Sequence, residues 1–351
     1  MLVQNGLKWK PSVMSWTFPQ NRYIRAYELK KQLDVDKYKL SKYTQFFIAD
    51  PKPRIIKAQK FRDRVVQKAM CTNGLYDDLM RCMIYDSCAC QKGKGVLFAK
   101  HRMNEFIHKF SMQHGKKGWV LKLDVHHFFD SIPHKQLKEM VGPMIRNEDY
   151  RKLVFEIIDS YPDPGIGLGC QVNQLLANVY LNGIDHLIKE KLQIKYYVRY
   201  ADDMVLIHED KEFLQYCLAV IKSELKKLGL ELNDKTSLQP LKNGVKFLKT
   251  RFILLDSMKI IWKTDMKTFR RWHRHFRKTM KRHLNGEFGF NKVMECFISW
   301  RSRLLDKHYS ERGLIKKVET EMYEFCGRKP PWMMIKEAID QSIADGTLVI
   351  E

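Results

Sequence analysis

The chain has 351 residues, 44% of them hydrophobic, enough to bury a large core and to fold as two or three lobes. Its 63 Lys and Arg against 40 Asp and Glu leave a net charge of +23, which favours a polyanionic partner, nucleic acid first and an anionic membrane surface as the competitor. The absence of an apolar run near ~18 residues and of a signal-peptide core argues against membrane insertion and secretion, and the 8 cysteines, with no CxxC pair, read as reduced thiols rather than a disulfide framework.

In chain order, residues 21–40 read as one helix or two short basic ones. TQFFIAD, a PKP turn and RIIKA predict a strand, a turn and a strand carrying Lys52, Arg54 and Lys57. In KFRDRVVQKAMCTNGLYDDLM, Val65, Val66, Ala69, Met70 and Leu75 have helical spacing, and the Gly/Lys loop SCACQKGKG leads to another helix. WVLKLDVHHFFDSIPH, residues 119–134, predicts a strong strand closed by Pro133. Helices follow in KQLKEMVGPMIR and DYRKLVFEIIDSY, and the loop PDPGIGLG enters a helix with Leu175, Leu176, Val179, Leu187 and Ile188 on its buried face. KYYVRYADDMVLIHED, residues 195–210, predicts two strands with Asp202 and Asp203 as the tight turn. FLQYCLAVIKSELKKLG is an amphipathic helix stopped by Gly229, and LELNDKTSLQPL and GVKFLKTRFILLDSMKIIW predict further strands. In DMKTFRRWHRHFRKTMKRHL, Phe269, Trp272, Phe276, Met280 and Leu284 form an apolar stripe, while Arg270, Arg271, Arg274, Arg277, Lys278, Lys281 and Arg282 occupy the other faces.

Paired carboxylates beside a core need a compensating charge. Two of them ~4 Å apart repel by about 1 kcal/mol in water and about 4 kcal/mol at an effective dielectric near 20. A divalent cation reverses that sign. Asp124 ends the predicted 119–124 strand, so if its strand neighbours the Asp202 hairpin, three carboxylates meet. Such a group holds two Mg²⁺ ions about 3.5–4 Å apart, one activating an attacking 3′-oxygen and the other steadying a triphosphate and its leaving group. The bland reading makes Asp124 a strand cap and YxDD a chance tetrapeptide.

The ordered set of segments resembles reverse transcriptases. YADD at 200–203 is similar to the family's palm turn, LKLDVHHFF at 121–129 to its first metal-binding strand and GIGLGCQVNQLLAN at 165–178 to its template- and nucleotide-positioning loop and helix. LGLELNDKT is similar to the following lysine motif, GVKFLKTRF to the primer grip, and PKPRII with FRDRVVQKAM to the fingers segment that holds the triphosphate. The resemblance implies an α+β right-hand polymerase: an N-terminal segment and fingers over 1–118, a palm of antiparallel sheet plus helices over 119–262 with a fingers insertion around 135–165, and a helical thumb and tail over 263–351. It implies Asp124, Asp202 and Asp203 as metal ligands assisted by the Val125 carbonyl, two Mg²⁺ ions with Mn²⁺ as a substitute, and Lys235 as a proton donor to pyrophosphate. Lys52, Arg54, Arg62, Arg64, Leu168, Gly169 and Gln171 would meet the nucleotide, and Phe129 would sit under the sugar and exclude a 2′-hydroxyl. Tyr200, Phe247, Leu248, Arg270, Arg271, Arg274, Arg277, Lys278 and Lys281 would meet nucleic acid.

Most relatives read QGxxxSP in the positioning loop, whereas Leu168 to Gln174 reads LGCQVNQ here. That resembles diversity-generating retroelement enzymes, with group II intron-like bacterial enzymes next, and places the chain in a bacterial cytoplasm. The implied partners are an RNA template, a DNA product and their RNA:DNA duplex, dNTPs, a structured noncoding RNA, and a small basic accessory protein or self-association. The chain beyond the primer grip has room for a thumb but not for RNase H, integrase or HNH endonuclease. Two alternatives stand beside this reading: a domesticated antiviral defence enzyme using a dedicated noncoding RNA or untemplated synthesis, and a noncatalytic RNA-binding scaffold.

Overall fold

A computed structural model describes residues 22–48 and 53–328. The expected PKP turn with Lys52, the side chain of Arg54 and the tail after residue 328 lie outside the described residues. The chain forms two compact units, one reaching to Leu241 and the other beginning at Lys242.

The first unit opens with helix α1 (Arg22–Asp34) and the hairpin β1 (Thr44–Ile48) and β2 (Arg54–Ala58), paired from Thr44↔Ala58 to Ile48↔Arg54. Helices α2 (Phe61–Met70) and α3 (Tyr76–Met80) replace the single helix expected over this stretch. The chain kinks between them because Gly74 takes φ 129° and the Asn73 amide donates to the Ala69 carbonyl at 2.7 Å, competing with the helical ladder. Helix α4 (Val96–His114) leads to β3 (Trp119–Asp124), then α5 (His134–Val141), α6 (Glu148–Asp159), α7 (Gln171–Tyr180) and α8 (Asn182–His186). The strands β4 (Tyr196–Tyr200) and β5 (Asp203–His208), helix α9 (Lys211–Lys227) and β6 (Ser237–Pro240) complete the unit. Asp210 caps α9 by accepting from the Glu212 and Phe213 amides, and Gly229 ends the turn after it with φ 69°.

Four strands form one antiparallel sheet in the order β4-β5-β3-β6. Strand side chains alternate between faces, so Leu121, Leu123, Met204, Leu206 and Tyr197 share one face, all fully buried with Leu175, Leu176, Leu214 and Ile221 of the helices. The opposite face carries Val120, Val198, Val205 and Ile207, also buried, with Phe106 and Phe110 of α4 edge-on to Tyr196. Asp124 and Asp203 end this second face. The sheet is thus largely apolar on both sides, with Asp124 and Asp203 at the end where the hairpin turns.

The second unit is a three-stranded antiparallel sheet, β7 (Val245–Phe247), β8 (Thr250–Leu254) and β9 (Ile260–Thr264), followed by helices α10 (Met266–Leu284), α11 (Phe290–Arg301) and α12 (Arg312–Phe325). Phe247, Phe252 and Trp262 are buried in it, and the Glu311 carboxylate accepts from the Thr264 amide at 2.8 Å and from its hydroxyl at 2.5 Å. On α10 the stripe holds for Phe276 and Met280, both fully buried, and Trp272 stacks on Trp300 at 4.3 Å. Leu284 departs from it, lying in the last turn 56% exposed.

Candidate active site

The register brings the predicted acids together. Asp124 is the Cα partner of Asp203, and Asp203 also faces Tyr200 across the β4–β5 ladder. The hairpin loop is therefore Ala201–Asp202, one residue earlier than the expected Asp202–Asp203 turn, because Asp203 is still paired on both sides. A two-residue hairpin loop needs positive φ to match the strand twist, and Ala201 supplies it at φ 54°, a left-handed conformation that costs a residue with a Cβ about 1–2 kcal/mol.

After Asp124 the chain is held by the segment that follows α9. The Asn233 amide donates to the Asp124 carbonyl at 2.7 Å and the His126 amide to the Glu231 carbonyl at 2.8 Å, flanking an isolated Val125↔Leu232 pairing. Neither bond uses the Val125 carbonyl. The same segment carries Lys235, whose ammonium lies 3.6 Å from Asp124 Oδ2. Lys122, two residues before Asp124 on the same strand face, places its ammonium 2.8 Å from Asp203 Oδ1. Each of these two acids thus faces a lysine.

A cleft of about 890 Å³ opens on Asp124, Val125, His126, His127, Phe129, Leu168, Asp202, Asn233, Asp234 and Lys235, with Gln45, Pro53, Ile55 and Lys57 of the β1–β2 arm on its other wall. Phe129 lines it while packing half-buried against Phe128, the rings edge-on at 5.5 Å. The loop around Gly165 is fixed against the same stretch. The Gly165 amide donates to the Ile132 carbonyl at 2.9 Å and the Ile166 amide to the Phe129 carbonyl at 2.8 Å. Gly165 is required there: it has φ 126°, and a Cβ would lie 3.1 Å from the Asp130 carbonyl oxygen. The loop consequently presents Leu168 to the cleft and turns Gly169 away.

The other expected nucleotide contacts divide. Gly169, Gln171 and Arg64 line a neighbouring pocket of about 350 Å³ with Gln67, Lys68 and Gln174, where burial lowers the pKa of the Arg64 guanidinium. Arg62 points elsewhere, donating to Gln32 Oε1 and to the Lys39 carbonyl at 3.1 Å each and lying 4.8 Å over the Tyr38 ring. Asp203 does not line the cleft, and Tyr200 sits beside it in the hairpin pair, half-buried. In the second unit Phe247 is buried, while Leu248 and Lys249 form the β7–β8 turn at φ 47° and 63°. Arg270, Arg271, Arg274, Lys278 and Lys281 are exposed on α10, but Arg277 Nε is spent on Glu321 at 2.6 Å.

Lys57, noted on the arm but given no role, lines the cleft, and Lys122, not singled out from the sequence, pairs with Asp203. Both were findable by strand alternation, Lys57 from Ile55 and Lys122 from Asp124, each two residues away.

The sequence profile of the family described as "Reverse transcriptase (RNA-dependent DNA polymerase)" matches residues 48–251. A Saccharomyces cerevisiae protein described as a COX1/OXI3 intron 2 protein is 23% identical to this chain, over 37% of this chain and 23% of that protein. Among solved structures the fold is similar to apo telomerase from Candida tropicalis, with a TM-score of 0.51 and 11% identity over 86% of this chain and 66% of that one. It is similar also to Candida tropicalis telomerase in complex with a TWJ fragment of telomeric RNA, with a TM-score of 0.50 and 11% identity over 86% and 62%. The chain therefore spans less than two thirds of each of these relatives. The likeness bears out the α+β polymerase fold with antiparallel sheets and helices. It overturns the expected placement among bacterial retroelements, diversity-generating or group II-like, and with it the bacterial cytoplasmic location, since these relatives are fungal. The loop that suggested that lineage reports packing instead: Cys170 Sγ donates to Gln67 Oε1 at 2.5 Å and Asn173 Nδ2 to the Gly167 carbonyl at 2.8 Å, both inside the core.

Proposed function

The chain belongs to the reverse transcriptase (RNA-dependent DNA polymerase) family, and on that premise we propose that it extends a DNA strand on an RNA template at the Asp124–Asp202 cleft with two Mg²⁺ ions, Mn²⁺ substituting. The observation that carries this reading is the β3–β5 register, which sets Asp124 opposite Asp203 with Asp202 in the adjoining turn, Asp124 and Asp202 opening on one cleft. The donors there are oxygens, two carboxylates and the Val125 main chain, the set preferred by a hard divalent cation. Bound ions would lower the pKa of an attacking 3′-hydroxyl and neutralise the leaving pyrophosphate.

This chain's own residues do the rest. Asp124 and Asp202 hold the cation charge, while Asp203 is balanced by Lys122 and shapes the field from the side. Lys235, near Asp124, stands ready to give a proton to the pyrophosphate. Phe129 fills the floor where a ribose 2′-hydroxyl would lie, and Lys57 faces the phosphates from the arm. The exposed arginines and lysines of α10 meet the duplex backbone by charge rather than sequence. A structured RNA partner is supported by the net charge of +23 and by the likeness to a telomerase solved with a telomeric RNA fragment. The division into fingers, palm and thumb belongs to the same proposal.

Asp202→Ala is expected to abolish deoxynucleotide incorporation in primer extension with Mg²⁺ while RNA binding in a filter assay stays close to wild type. Synthesis retained by this variant would refute the proposal.

A further inference from the structure

The core face of the palm sheet holds one ion pair. Arg199 and Asp185 are both fully buried, Nη2 lying 2.5 Å from Oδ2 and Nε 2.7 Å from Oδ1. A buried pair of this kind rarely outperforms apolar residues of the same volume, so its other bonds matter. The Tyr197 hydroxyl donates to Asp185 Oδ1 at 2.6 Å, and Arg199 Nη2 donates to the Asn178 carbonyl at 3.2 Å. Arg199 Nη1 donates to Asn178 Oδ1 and to the Ala201 carbonyl, at 3.1 Å each. The Arg199 backbone is clamped as well, its amide donating to the Asp86 carbonyl at 3.0 Å and its carbonyl accepting from Cys88 at 2.9 Å. One bond of this rigid network therefore ends on the residue whose left-handed backbone precedes Asp202.

We propose that the buried Arg199–Asp185 pair is a positioning device for the Ala201–Asp202 turn, holding the Ala201 carbonyl so that the Asp202 carboxylate stays directed into the cleft. The inference rests on the cation-binding reading of that cleft. Arg199 touches no substrate and acts only through the turn.

The test measures Mn²⁺ binding to the full chain by the loss of the free-ion electron paramagnetic resonance signal, with the thermal midpoint recorded in parallel. The double variant Arg199→Met/Asp185→Leu removes the pair without leaving a lone charge. It is expected to melt near wild type yet bind Mn²⁺ about tenfold more weakly, the scale set by the left-handed cost at Ala201. Adding Ala201→Gly, which adopts positive φ without penalty, is expected to recover most of that loss. Should the double variant not fold, Arg199→Lys keeps the charge on Asp185 but has no forked donor set for the turn, and the same weakening and rescue are expected. A folded variant with wild-type Mn²⁺ affinity, or weakening that Ala201→Gly leaves unchanged, overturns the proposal. Asp202→Asn separates the two levels: if it binds Mn²⁺ like wild type the cleft reading itself fails, whereas if it loses binding and the Arg199 variants do not, only the positioning role fails.

Discussion

Two hairpins of the same unit open on the same cleft, and they are built in opposite ways. In β4–β5 the central residues Val198 and Val205 are fully buried, the ladder continues into β3, and the rings of α4 close over Tyr196. In β1–β2 every residue of the first strand is exposed, Phe47 and Ile55 are 65% and 63% exposed, and among the described residues no third strand joins the pair. At its base Tyr43 stacks on Tyr161 at 5.3 Å. An isolated two-stranded ribbon is marginally stable in water. The buried hairpin therefore holds repelling carboxylates in a fixed frame, while the arm lines the other wall of the cleft with little burial of β1.

The most severe way to break this contrast is to remove an acid from the platform. Asp124→Asn is expected to lower primer-extension turnover by about a thousandfold or more, with the thermal midpoint nearly unchanged because Asp124 ends the strand rather than filling the core. A loss below tenfold would mean that the platform does not carry the chemistry. Hydrogen exchange sharpens the contrast directly. Amides of β1 and β2 are expected to exchange at least about a hundredfold faster than those of β3 and β5, since local opening of a ribbon costs far less than global unfolding; equal protection would erase the distinction.

Phe129 lies between the two walls. Phe129→Ala is expected to reduce discrimination against ribonucleotides by about tenfold or more, on the scale of a lost steric exclusion, and unchanged discrimination would make the ring a packing residue alone. The smallest effect concerns alkali. Burial pushes the Cys170 thiol up to about 11 and the Cys71 thiol up to about 12, from an ordinary value of 9.0. The folded state then keeps protons that the unfolded chain releases, so the stabilisation is complete below pH 9 and drains away as pH rises toward 11 and 12. Thermal midpoints across pH 7–11 are expected to be flat and then to fall, and a rise above pH 9 would contradict the burial of these thiols.

Much of the platform was legible because its physics is local. The apolar runs along 119–124 and 203–208, each with an acid at one end, needed no tertiary knowledge to read as buried strands, whereas their adjacency came only with the fold. The exact turn was not legible, because Ala201 at positive φ defies the usual preference for Asn or Gly, and its carbonyl accepts from the guanidinium of Arg199, whose burial against Asp185 the local pattern does not reveal. Nor was the fate of the basic residues: Arg62 and Arg64 share one short helix but point to different surroundings, and Arg277 is consumed by Glu321, distinctions that helix periodicity cannot draw. Lineage was least legible of all, since the loop residues that hinted at it are constrained by packing against Gln67 and Gly167.

The central claim is a cation centre between the β3 end and the hairpin turn. Crystals of the full chain soaked in Mn²⁺ and examined by anomalous diffraction test it most directly. Two peaks about 3.5–4 Å apart, ligated by the carboxylates of Asp124 and Asp202, are the predicted result. Mn²⁺ bound at other residues, with Asp124 still facing Lys235 and no density beside Asp202, would contradict it.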